Sequence, residues 1–273
     1  MNLTLDHRTN AYTYTGGKVF DAAKPAIVFL HGAQHDHSVW ALQTRYFAHH
    51  GFGMLTPDLL AHGRSDGPAR ASIAELADWT MSVLDAANVR KAIFVGHSMG
   101  SLIALDAAAR FPDRATGLAL ISTAAPMTVS DALLDAAREH EPEAIDMVNQ
   151  WSHSTIAAKP FAPAPGFWLH GMNQRLMERI GALGEAQLFH TDFSACNAYS
   201  DALERATAVR CQVCVIAGKR DMMTPPRASR ALVAAFENVR YAELDGGHAL
   251  MSEQPDAVLD TLFSFALSCI KGE

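Results

Sequence analysis

Short unbroken apolar runs punctuate this chain, separated by longer stretches with helical spacing. Ala26-Ile27-Val28-Phe29-Leu30 is one such run, the pattern of a strand covered on both faces, as in a parallel sheet. Comparable runs at 53–56, 91–95, 116–121, 211–217 and 239–244 predict further core strands. Residues 38–50, 72–87, 99–110, 226–236 and 254–270 read as the helices between them. The stretch 99–110 is apolar nearly all round, which marks a deeply buried helix. Ser72, with Glu75 three residues on, has the form of a capping box. Residues 3–5 and 11–14 predict an edge hairpin ahead of the first core strand.

The rhythm breaks between residues 125 and 207. That segment carries no convincing strand pattern, two helix patterns at 131–139 and 173–180, and a Pro-rich link at 159–165. Strand–helix alternation on both sides of it predicts an α/β fold: a doubly wound, mostly parallel sheet with helices on both faces and an inserted helical cap. The expected division is a core of residues 1–124 and 208–273 and a cap of residues 125–207.

Composition narrows the functional classes. The 273 residues are 49% hydrophobic and 19% charged, enough apolar material for a sizeable core. A formal charge of −7 disfavours a nucleic-acid partner. No apolar run has the ~18 to 20 residues a membrane span needs. Residues 1–10 lack the basic start and apolar stretch of a secretory signal, so the expectation is a cytoplasmic protein with no membrane partner. Cys211 and Cys214 form a C-x-x-C, but on a strand residues three apart face opposite ways. They are expected to be packing cysteines.

Gly96-His97-Ser98-Met99-Gly100 stands between the strand at 91–95 and the buried helix. G-x-S-x-G in that context is a nucleophile elbow: a sharp turn that holds the serine in a strained conformation above the sheet. The helix N-terminus adds free N–H groups and a positive dipole end beside the hydroxyl. A serine needs a base, usually a histidine oriented by a carboxylate. Among 13 histidines, His248 follows the last core strand in Asp245-Gly246-Gly247-His248, where the glycines let the loop return over the carboxyl edge of the sheet. Asp221 follows the strand at 211–217 in the same way. The chain order Ser98, Asp221, His248 is the order this fold uses. For the oxyanion, Met99 N–H follows the nucleophile, and Ala33 in Leu30-His31-Gly32-Ala33 is assigned the second donor, with Gln34 as its nearest competitor. His31 is expected to brace that loop. His31, His35, Asp36 and His37 form no familiar metal-ligand spacing.

On these stretches, together with Pro57-Asp58-Leu59-Leu60-Ala61-His62-Gly63-Arg64-Ser65-Asp66-Gly67-Pro68 and residues 218–225, the sequence resembles the α/β-hydrolase superfamily over most of its length. Members similar to it include carboxylesterases, lactonases, carbon–carbon bond hydrolases, thioesterases and cofactor-free haloperoxidases. Dehalogenases and epoxide hydrolases of the family carry Asp where Ser98 stands. Two departures are visible: Leu60-Ala61 in place of Pro-Gly, and Ser101 in place of a frequent glycine.

The resemblance implies acyl transfer to water through an acyl-enzyme on Ser98, with a small-molecule substrate and no cofactor or metal. A small or medium ester with an apolar part is the expected substrate. The rival activity is cleavage of a vinylogous diketone, and the rival class a slow ligand-binding receptor. The inserted segment offers Trp151, Phe161, Phe167, Trp168, Met172, Phe189 and Phe193 for a pocket, and His153, His170, His190 and Arg175 for a substrate carboxylate.

Overall fold

In a computed structural model, which describes residues 1–5, 9–154 and 169–271, the chain forms an eight-stranded sheet in the order β1-β2-β4-β3-β5-β6-β7-β8. The strands are β1 (Asn2–Leu5), β2 (Thr9–Tyr14), β3 (Ala26–Leu30), β4 (Gly53–Pro57), β5 (Ala92–His97), β6 (Ala115–Ile121), β7 (Val213–Gly218) and β8 (Val239–Leu244). β1 and β2 form the expected antiparallel edge hairpin, and β2 joins β4 antiparallel. From β4 to β8 every pairing is parallel. β3 lies between β4 and β5, so the strand order reverses direction at β3. Such a switch point opens a crevice beyond the carboxyl ends of the strands.

Alternate residues of the central strands feed opposite cores, as the two-residue period of a strand demands. Val28, Leu30, Phe94, Val213 and Val215 pack into the core under α2 (Ile73–Ala86), α3 (Met99–Arg110) and α9 (Pro226–Ala235). Ile27, Phe29, Ile93, Val95, Cys214 and Ile216 pack into the core under α1 (Ala41–His49) and α11 (Pro255–Lys271). Cys211 packs against the first core and Cys214 sits within the second, so the C-x-x-C sulfurs diverge. Both thiols are pushed up to about 12, by burial first.

α3 is buried along its length, as its composition predicts. Ser72 does occupy the N-cap position of α2, but its side chain makes no capping hydrogen bond. The capping box is thus present as a sequence pattern without its bonds. The predicted helix at 38–50 is divided: a 3₁₀ turn, His37–Trp40, capped by Asp36 accepting from Ser38 N–H, precedes α1.

Between β6 and β7 stand α4 (Asp131–Glu139), α5 (Glu141–Ser152), α6 (Leu169–Leu183), α7 (Leu188–Ala198) and α8 (Ala202–Ala208). α4 packs on α5 and α7, and α5 on α6, while α8 returns to pack against α3 and α9. The Pro-rich link at 159–165, with Phe161, Phe167 and Trp168, lies outside the described residues. A short helix α10 (Leu250–Glu253) precedes α11. Among the described residues, no helix is long and apolar enough to cross a membrane.

Candidate active site

Ser98 stands at the junction of β5 and α3 with φ 52° and ψ −121°, a conformation that costs a non-glycine residue about 1–3 kcal/mol. The surrounding packing maintains it. A Cβ on Gly96 would lie 2.0 Å from Gly100 O, and a Cβ on Gly100 would lie 2.3 Å from Leu30 O. Only glycine at both positions lets strand, turn and neighbouring loop approach this closely. Ser101, which stands in place of a frequent glycine, donates from Oγ to Ser98 O (2.5 Å), and its Oγ is hydrogen-bonded to the Thr123 hydroxyl (2.8 Å). The serine at this position therefore ties the elbow to the end of β6.

The other site residues come from the loops after β3, β7 and β8. Asp221 and His248, 27 residues apart in sequence, meet: His248 Nδ1–H donates to Asp221 Oδ2 at 2.8 Å. Thr224 Oγ1 donates to the same oxygen at 2.8 Å, and Oδ1 accepts the N–H groups of Met223 (2.8 Å) and Thr224 (2.7 Å). Burial alone would raise the Asp221 carboxyl; the charge of His248 and these donors outweigh it and hold the pKa below the ordinary value. The backbone of His248 is pinned as well. His97 Nε2–H (2.9 Å) and Ser122 Oγ–H (3.0 Å) both donate to its carbonyl. Burial, and then His248 itself, drive the His97 pKa well below normal, so His97 is a neutral donor.

Ser98, Ala33 and His248 line one pocket of about 210 Å³. Among the described residues, Met127, Thr128, Val129, Ser130, Leu133, Trp151, Phe193, Cys196, Met222, Met223 and Thr224 also line it. Of the apolar candidates in the inserted segment, Trp151 and Phe193 line it; Phe189 is fully buried in the core and Met172 is exposed. Met222 and Met223 come from the loop that carries Asp221, a contribution that sequence reasoning missed. No side chain with a fixed charge lines this pocket among the described residues. His153, His170, His190 and Arg175 are absent from its wall; Arg175 pairs with Glu178 on an exposed helix face.

The loop after β3 separates Ala33 from Gln34. Gln34 N–H donates to Asp192 Oδ2 at 2.9 Å, which leaves Ala33 as the one of the two that reaches the pocket. His31 braces the loop: Nδ1–H donates to Gly32 O (2.8 Å), and Nε2 accepts from Leu59 N–H (2.9 Å). Ala61, which stands in place of the more usual glycine, adopts φ 62°, the left-handed region that glycine favours. Asp36, His37 and Asp58 bring possible metal-ligand atoms within 4.8 Å of one another. Their oxygens already have donors: Asp58 accepts from His37 N–H and Nδ1–H and from Arg64 N–H, and Asp36 from Ser38 and Arg179. This cluster reads as a hydrogen-bonded turn.

The fold agrees with the comparisons. Residues 25–255 match the family model described as alpha/beta hydrolase fold. The chain therefore belongs to the α/β-hydrolase family, and it is a hydrolase. It is 28% identical to "Putative carbamate hydrolase RutD" of Agrobacterium fabrum over 90% of this chain and 95% of that protein. Among solved structures, it is similar to the enol-lactonase of Burkholderia xenovorans, with a TM-score of 0.84, 23% identity and coverage of 97% of this chain and 99% of that one. It is similar in fold to an esterase of Exiguobacterium antarcticum, with a TM-score of 0.83, 17% identity and coverage of 98% and 99%.

Proposed function

We propose that the protein hydrolyses small or medium neutral carboxylic esters, lactones among them, through an acyl-enzyme on Ser98. The observation that carries this reading is the shared pocket: Ser98 in its strained elbow, Ala33 and His248 line one cavity, with His248 held by Asp221 at 2.8 Å. The first step is attack of Ser98 Oγ on the substrate carbonyl carbon while His248 Nε2 takes the hydroxyl proton. Asp221 keeps Nδ1 protonated and stabilises the imidazolium that results. The N–H groups of Ala33 and Met99 hold the oxyanion; Met99 opens α3 and has no carbonyl of its own helix to bond. His248 then protonates the leaving oxygen. In the second half it takes a proton from water, whose oxygen attacks the acyl carbon, and Ser98 leaves with that proton.

Substrate class follows from the wall of the cavity. Among the described residues, apolar side chains from α4, α5 and α7 face it, with the hydroxyls of Thr128, Ser130 and Thr224 beside that of Ser98 and no fixed charge. Among the described residues a buried substrate carboxylate would find no fixed cation to pair with there, at a cost of several kcal/mol. A neutral acyl group fits. The names of the relatives, a carbamate hydrolase and an enol-lactonase, support attack on an acyl carbon without narrowing it further. We assign the segment at 125–207 the role of a cap that sets specificity, because Leu133, Trp151 and Phe193 all come from it. Cleavage of a vinylogous diketone would call for more polar groups around a dienolate than the described residues of this wall supply.

A panel of p-nitrophenyl esters of increasing acyl length, run beside a ring-cleavage diketone, tests the assignment. Turnover of the short and medium esters is expected. Turnover of the diketone alone would replace the reading with carbon–carbon cleavage, and turnover of neither would favour a receptor.

A further inference from the structure

Asp192 of α7 is buried and belongs to no part of the mechanism above. One of its oxygens, Oδ2, takes two donors: the backbone N–H of Gln34 at 2.9 Å and Nε2–H of His62 at 2.9 Å. His62 Nδ1 also lies 2.8 Å from Leu60 O, so both of its nitrogens face oxygen acceptors, the arrangement that suits a protonated ring. Burial opposes that charge, but Asp192 and the two hydrogen bonds overcome it and raise the His62 pKa. Asp192 and His62 thus form a buried ion pair with a third bond directed at the loop that carries Ala33.

We propose that Asp192 is a positioning residue for the oxyanion loop, fixing it through Gln34 N–H so that the neighbouring Ala33 N–H meets the substrate oxygen. This rests on the acyl-enzyme reading and deepens it. Gln34 has φ 55°, a conformation a residue with a side chain holds only when its surroundings impose it. A charged acceptor on its N–H is such an imposition, and stronger than a neutral one. The bond also removes the rival donor: a free Gln34 N–H beside Ala33 could turn the loop and place the wrong amide in the site. The Gln34 side chain adds ties to the inserted helices, donating from Nε2 to Glu141 Oε1 (3.1 Å) and Met177 O (3.3 Å).

The placement of Asp192 has a second consequence. Phe193 and Cys196, one and four residues further along α7, line the substrate pocket. One helix therefore presents the pocket wall and holds the oxyanion loop. A substrate packed against Phe193 bears on the same element that sets the donor geometry, which joins acyl recognition to transition-state stabilisation.

No amide side chain reproduces the arrangement at Oδ2. With Asp192→Asn, an amide oxygen can still accept from Gln34 N–H, but the countercharge for the buried His62 is lost. If His62 instead becomes neutral by losing the Nε2 proton, its lone pair faces that oxygen. The loop is then held less firmly while the pocket wall is unchanged.

The test compares wild type and Asp192→Asn on a neutral p-nitrophenyl ester and with a boronic acid that forms a tetrahedral adduct on the serine. Because misplacement of an oxyanion donor acts on the transition state, kcat is expected to fall about ten- to a hundredfold, KM to stay within about twofold, and the boronate inhibition constant to rise by the factor lost in kcat. An unchanged kcat, or a loss carried wholly by KM, would overturn the proposal. The crystal structure of the wild-type protein with an ethyl phosphonate on Ser98 gives a second arm that needs no variant. Gln34 N–H is expected to remain on Asp192 and Ala33 N–H to meet the phosphonyl oxygen; Gln34 N–H turned onto that oxygen would refute the role of Asp192. Failure of wild type itself to take up the phosphonate would instead defeat the acyl-enzyme reading, and this inference with it.

Discussion

Nδ1 of His248 lies 2.8 Å from Oδ2 of Asp221, joining the loops that follow the last two strands of the sheet. Neither loop could be placed against the other without the parallel pairing of β7 with β8, in which Gly218 aligns with Leu244. Gly218 has a specific part in it, because a Cβ there would lie 2.2 Å from Gly247 O, in the loop that bears the histidine.

Asp221→Asn tests this pair. The amide preserves volume, but it cannot stabilise the imidazolium, and it favours the wrong tautomer of His248. Steady-state kinetics on a p-nitrophenyl ester should show kcat lower by about 10³- to 10⁴-fold with the fold retained by circular dichroism. A loss below about tenfold would mean that His248 works without this carboxylate.

Gly100→Ala tests the packing beneath the elbow. The added Cβ would meet Leu30 O at 2.3 Å and His31 O at 2.6 Å, backbone atoms that cannot swing aside. Urea unfolding should register a loss of about 1–3 kcal/mol or more. Gly32→Ala is the gentler case, because its nearest neighbours, His97 Nδ1 and Ser98 Cβ, lie 3.2 Å away. A Gly100→Ala protein as stable as wild type would show that the elbow is looser than this packing requires.

Trp151→Ala should lengthen the pocket, since Trp151 forms part of its wall while remaining partly accessible. The ratio of kcat/KM for a long neutral acyl ester over a short one is expected to rise about tenfold, the scale on which one further methylene buried in an apolar pocket improves a substrate. An unchanged ratio would place the acyl group elsewhere.

Acid should destabilise the fold through its buried neutral histidines. His31, His97 and His153 all have lowered pKa values, each through burial first, with His153 down to about 4. Unfolded, each would bind a proton near its ordinary 6.5, so below that pH the unfolded state holds more protons than the folded one. Stability contributed by these groups is complete above 6.5 and declines as pH falls toward their folded values. His62, raised by Asp192 against its burial, runs the other way: its contribution is complete below 6.5 and is lost as pH rises through its raised value. Melting temperature measured between about pH 8 and about pH 5 should therefore fall on the acid side by several degrees per pH unit. A flat profile would contradict the neutral, buried state of the three.

Much of this architecture is readable in the sequence because its signals are local. The runs 26–30, 92–95 and 117–121 are buried on both faces, and only a sheet covered on both sides needs that. Ser98, Asp221 and His248 are identifiable because each closely follows a strand, so topology alone delivers them to one edge. The inserted segment is harder. α5 and α7 escape recognition: Glu141-Pro142 opens α5 without a side-chain cap, and α7 starts from Gln187 in a left-handed conformation with no cap bond. Asp192 looks like any polar helix residue, and its meaning depends on Gln34 and His62, 158 and 130 residues away in sequence. Interactions at that range leave no periodic trace.

Every step of the mechanism depends on Ser98 being the nucleophile. Incubation with a fluorophosphonate probe followed by peptide mass spectrometry tests this most directly. One covalent adduct is expected, on the peptide containing Ser98, with adduct and ester hydrolysis both abolished in Ser98→Ala. An adduct on another serine, or a Ser98→Ala protein that still turns over ester near the wild-type rate, would contradict it.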